Sequence, residues 1–235
     1  MKESIIRNCG WSSHYFSHCS TGLILRCIVT PRGLFPFRYF KKGLQLVNSD
    51  NKKHFTAKEE IIQFGLQYFQ GVGASYICNV CISNGGSCCM NCCYLEDGKG
   101  CKQRNTSCTS WLCGFLKLLF YEAELLEEWD NFWDEIPGKA FRRDYTPPVV
   151  PIKKVLQTPN IRFLGQAFAK DLTNLIKKHN NPDYVIELNN ELDRYLTRLS
   201  IYIDFETLEE ARKELVKLTK DFYYFQLALQ DYRSR

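Results

Sequence analysis

The sequence predicts an α+β, mainly helical fold, and three observations carry that expectation. Apolar residues recur at three- and four-residue intervals after residue 56, after residue 110 and again over 160–231. Short β-branched and aromatic runs are confined to residues 22–48. Nine of the 12 cysteines crowd between Cys78 and Cys113, where little regular structure is expected. The chain then divides into a small N-terminal α/β unit of strands plus one helix (1–76) and a cysteine-cluster metal-binding segment with a long helix (77–140). A Pro-rich linker (141–159) and a helical unit (160–235) complete it.

Leu23-Ile24-Leu25 and Cys27-Ile28-Val29 read as a first strand, closed by the turn at Pro31-Arg32-Gly33. The aromatic run Phe35 to Phe40 follows, and Pro36 limits it to a sheet edge. Leu44 to Val47 reads as a third strand. Thr56 and Glu59 stand at capping-box spacing and start a helix with an apolar face of Ile61, Ile62, Leu66 and Phe69, which Gly71 and Gly73 end. The segment 77–113 is expected to be irregular. One long helix is expected from Ser110 to Glu135, capped by Thr109 or Ser110, with Leu112, Phe115, Leu119, Leu126, Trp129 and Trp133 on its buried face. Its last turns are acidic, the unfavourable sign for a helix C-terminus, which calls for a basic patch of the same chain, another subunit or simple solvation.

Pro147, Pro148, Pro151 and Pro159 leave the linker little room for a helix or a central strand. Three helices are expected after it, near 160–179, 183–203 and 207–231. Asn180-Asn181-Pro182 stops the first, and Leu172, Leu192, Leu196, Leu215, Leu218 and Phe222 are expected in the core.

At 235 residues with 45% hydrophobic and 24% charged side chains, the chain is long enough to bury a core. It has no run of ~18 apolar residues, so no membrane span and no membrane partner are expected. The first residues carry Lys2, Glu3 and Arg7 and no apolar stretch of signal-peptide length, which points to a cytoplasmic protein. The net charge of +5 is unevenly spread: residues 1–60 hold 10 basic and 4 acidic side chains, and residues 121–150 hold 3 and 8. A basic N-terminal segment suits nucleic acid, although an ordinary solvated surface explains it more simply, since no basic run exceeds two residues.

The cysteine cluster carries the strongest chemical signal. Cys78 and Cys81 form one C-x-x-C pair, and Cys89 and Cys92 form another. Such a turn aims two thiolates at one point, and two of them make a sulfur cage for zinc or for an iron–sulfur cluster. Gly85-Gly86 lets the chain reverse between the pairs. Cys88, Cys101, Cys108 and Cys113 extend the candidate ligand set. Disulfides are the competing reading, because 12 is even and Asn105-Thr106-Ser107 is a glycosylation sequon. Metal is favoured, because nothing else suggests a secreted chain and the helices have apolar faces of their own. A thioredoxin-like role would need a βαβ context that the sequence lacks.

The run Cys88-Cys89-Met90-Asn91-Cys92-Cys93-Tyr94-Leu95, followed by Gly98-Lys99-Gly100-Cys101 and then Cys108 and Cys113, resembles the bacterial YkgJ-type family of zinc- or iron-chelating cysteine clusters. The resemblance covers residues 78–113 alone. It implies a bacterial metal-binding protein with Cys89, Cys92, Cys101 and Cys108 as core ligands and Cys78 or Cys81 as an upstream one. The related flagellin lysine N-methylases imply an iron–sulfur cluster as an alternative to zinc. The chain departs from the family by having Thr106-Ser107 where an Arg-Pro precedes the later cysteine.

Cys9, His14, His18 and Cys19 form a weaker four-donor set, and His54 and His179 read as surface residues. The pairs Glu127-Glu128 and Asp134-Glu135 read as a solvated face. No phosphate loop, nucleophile elbow or H-E-x-x-H occurs, so no catalytic residue is assigned. The expected function is a non-enzymatic, metal-stabilised interaction or adaptor protein whose partner is another protein. An iron–sulfur enzyme for redox or group transfer, and a zinc-stabilised nucleic-acid binder, are the alternatives.

Overall fold

The computed structural model describes residues 54–235 apart from 87, 89–91, 93, 97–99, 102–103, 141–142, 182 and 202–203. These residues belong to one compact unit, Ser49–Arg235. The expected strands within 22–48 and the donors Cys9, His14, His18 and Cys19 lie outside the described residues, as do Cys89 and Cys93.

A short strand, β1 (His54–Ala57), enters directly into helix α1 (Lys58–Val72), with Glu59 and Glu60 complementing its first turn. Gly73 ends α1 with φ +75° and starts α2 (Ala74–Ser83). Only glycine fits there, both for that backbone angle and because a Cβ would stand 2.5 Å from the carbonyl oxygen of Arg162. A two-residue ribbon follows, β2 (Leu95–Glu96) against β3 (Gly100–Cys101). Next come α3 (Thr106–Ser110), α4 (Gly114–Glu122) and α5 (Leu126–Asp134). A second ribbon pairs β4 (Lys139–Ala140) with β5 (Arg143–Asp144). β6 (Val149–Ile152) then runs antiparallel to β1, with His54 opposite Ile152. Four helices finish the chain: α6 (Arg162–His179), α7 (Tyr184–Ser200), α8 (Phe205–Thr219) and α9 (Tyr223–Ser234).

The mainly helical class holds, but several elements differ from expectation. The expected long helix over 110–135 is two helices, α4 and α5, after α3 has ended at Ser110. Trp111 and Cys113 are extended (ψ 133° and 167°), which separates α3 from α4, and Glu124 at φ +59° separates α4 from α5. Tertiary packing overrides the periodicity here: a Cβ on Gly114 would overlap the carbonyl oxygen of Asn189, so α4 is drawn against α7. Phe115 N–H donates to Asn189 Oδ1 (3.3 Å), and Lys117 pairs with Asp193 and Thr197. The third helix expected after the linker is likewise two, broken at residues 220–222. The segment expected to be irregular begins inside α2, so Cys78 and Cys81 sit on a helix. The linker contributes β6, whose Pro151 is tolerated because a two-stranded ribbon has only edges.

One core joins these elements. Tyr68, Phe69, Phe120, Trp129 and Trp133 form an aromatic cluster with centroid separations such as 4.9 Å for Phe69–Trp129. Trp129 is fully buried and its Nε1 donates to the Ser110 carbonyl (2.9 Å). Leu172, Leu192, Leu196, Leu215 and Phe222 are buried as expected, whereas Leu218 is partly buried. Each such side chain contributes about 1.5–3 kcal/mol of transfer free energy. Asp171 on α6 is buried, and its carboxylate accepts from Tyr224 N–H (3.2 Å) and Phe225 N–H (2.8 Å), capping α9 from another helix. Burial pushes its carboxyl above the usual range, against the pull of those hydrogen bonds.

Candidate metal centre

Cys78 and Cys81 are three residues apart on α2 and so share one face of that helix. Past its end, Asn84 Nδ2 donates to the Val80 carbonyl (2.8 Å), Gly85 takes φ +81°, and Gly86 N–H donates back to the Cys81 carbonyl (2.9 Å). The reversal is tight enough that a Cβ on Gly86 would overlap the Cys81 sulfur. It returns the chain toward α2, and the Cys88 thiol acts electrostatically on Cys78 and Cys81.

The downstream cysteines come from three further places. Cys101 closes the β2–β3 ribbon opposite Leu95. Asn105 caps α3, its Oδ1 accepting the Cys108 amide at 2.8 Å. Cys113, the buried residue before α4, accepts the Lys117 amide on its carbonyl (2.8 Å). Cys78, Cys81, Cys88, Cys92, Cys101 and Cys108 are half-buried. Cys78, Cys81, Cys88, Cys92 and Cys113 are thiols outside any disulfide.

Burial pushes the Cys78 thiol up to about 11, with the neighbouring Cys88 adding to the rise, and the Cys81 thiol up to about 12 by burial and then by Cys88 and Cys78. Cys88 is raised by burial, lowered by Arg104 and raised again by Cys101 and Cys108. Cys113 is raised well above the ordinary thiol range by burial and by Cys88, Cys78 and Cys81. These mutual influences place Cys78, Cys81 and Cys113 within electrostatic reach of Cys88, which also feels Cys101 and Cys108. Of the core ligands that the family pattern implies, Cys101 and Cys108 act electrostatically on Cys88. Cys89 lies outside the described residues, and Cys92 is half-buried nearby in sequence.

A buried polar frame holds α3 in place. Thr106 N–H and Thr106 Oγ1 donate to the two oxygens of Asp144 (3.1 and 2.9 Å), and Thr146 N–H adds a bond at 2.9 Å. Lys58 at the start of α1 completes it with Nζ 2.9 Å from Asp144 Oδ2. Ser107 Oγ donates to the Arg143 carbonyl and accepts from Ala140 N–H, tying α3 to the β4–β5 ribbon. The sequence reading missed this frame, because Asp144 is 38 residues from Thr106 and no local pattern links them. The Asn-Thr-Ser sequon is part of it: Asn105 is a helix cap, Thr106 and Ser107 are buried, and all three are engaged inside the fold.

The other candidates are placed as follows. His54 is exposed, and His179 is exposed and stacked on Tyr184 (4.0 Å between centroids). Glu127, Glu128 and Glu135 line a cleft of about 400 Å³ with Phe132 and Lys154. Glu128 is partly buried, accepting from Tyr68 Oη (3.0 Å) and pairing with Lys154 (3.4 Å). Glu135 pairs with Lys153 (3.3 Å). Glu127 and Glu128 lie in the first turn of α5, where negative charge suits the helix, and at its C-terminal end Glu135 meets Lys153 of the same chain.

Among the described residues, no three His, Cys, Asp or Glu side chains stand in an arrangement that coordinates an ion. The thiols that influence one another are soft donors, and the positive charge of Arg104 acts on Cys78 and Cys88. No helix among the described residues is long and apolar enough to cross a membrane. No family model, no curated protein and no solved structure matches the chain.

Proposed function

We propose that the chain is a cytoplasmic metal protein of the YkgJ-like kind that serves as a non-enzymatic interaction or adaptor subunit. Its zinc or iron–sulfur centre is held by thiols drawn from Cys78, Cys81, Cys88, Cys101, Cys108 and Cys113, with Cys89 and Cys92. What supports this reading is the mutual electrostatic influence of thiols from α2, the chain after the Gly85-Gly86 reversal, β3, α3 and the residue before α4 around Cys88. Neutral thiols crowded into a half-buried place have little to stabilise their ionised form, and a bound cation reverses that balance. A bound metal held by these thiols would supply the positive charge that favours their thiolate form.

The chain's own residues do the rest. Asn105 and the Asp144 frame orient Cys108, and Gly86 fits against Cys81. The centre would then join α2, α3 and α4. The interaction role is supported by large exposed apolar side chains elsewhere, Phe55 and Phe205 at 76% exposure among them.

Chelation of the full chain tests this. Treatment with a strong chelator is expected to open residues 74–113 to protease before the helices from α6 onward. An unchanged digestion pattern would contradict a metal that holds this segment.

A further inference from the structure

We draw no further inference here: the strongest candidate, the cleft of about 400 Å³ between α5 and residues 154–156, is a cluster of glutamates seated at the first turn of α5 and beside Lys153 and Lys154, and nothing among the described residues points to a ligand for it.

Discussion

Asn105 Oδ1 accepts the amide hydrogen of Cys108 at 2.8 Å, so the residue that starts α3 also fixes the backbone of a candidate ligand. Asn105→Ala removes the cap, with an expected cost of about 1 kcal/mol. Asn105→Asp keeps an acceptor in the same place and should stay near wild type. Urea unfolding midpoints of the three proteins check this; equal midpoints for Ala and Asp would show that the cap contributes nothing.

Asp144 carries a pH dependence. Burial alone would raise its carboxyl, but Lys58, the Thr146 and Thr106 amides and the Thr106 hydroxyl outweigh that and hold it down to about 2. The depressed value means that its stabilisation is fully present above the unfolded carboxyl value near ~4 and is lost as pH falls toward 2. Asp144→Asn should therefore be less stable than wild type by about 1–2 kcal/mol at neutral pH, after allowance for partial solvent screening. The gap should close between about pH 4 and pH 2. Denaturant midpoints across that range measure it, and a gap independent of pH would rule out the carboxylate as its source.

The helical half allows a graded test of burial. Leu196 is 1% exposed, whereas Leu218 is only partly buried against the core. Leu196→Ala is expected to cost about 2–5 kcal/mol and Leu218→Ala less than about 2 kcal/mol. Thermal melts of the pair check the order, and the reverse order would show that α8 packs differently.

The legible parts of the fold were those written in local pattern. The helix expected from Thr56 starts at Lys58, but Thr56 belongs to β1 and the cap position is Ala57 with no side-chain bond, so the capping box is not made; the Asn180 stop ends α6 where Asn180 takes φ +48°. Leu172, Leu192 and Leu196 lay on the faces their spacing assigned. The breaks in 110–135 were not legible, because Leu112, Phe115, Leu119, Leu126, Trp129 and Trp133 keep a helical rhythm across them. What sets those breaks is long-range: the close approach of Gly114 to Asn189 and the left-handed turn at Glu124.

The site followed the same division. Spacing singles out the cysteines as a set, but it reads Cys78-x-x-Cys81 as a turn, whereas α2 runs through the motif and the turn comes after it at Gly85-Gly86. Asp144, Lys58 and Arg104 entered the neighbourhood only through folding, since their partners lie on other elements.

The central claim is that the clustered thiols hold a metal, and the most direct measurement is the metal content and visible spectrum of the full-length chain purified without oxygen. The account predicts stoichiometric zinc, or iron with sulfur-to-iron charge-transfer absorption, either of which Cys78→Ser combined with Cys81→Ser would diminish. A folded, metal-free chain with Cys78, Cys81, Cys88 and Cys113 joined in disulfides would contradict it.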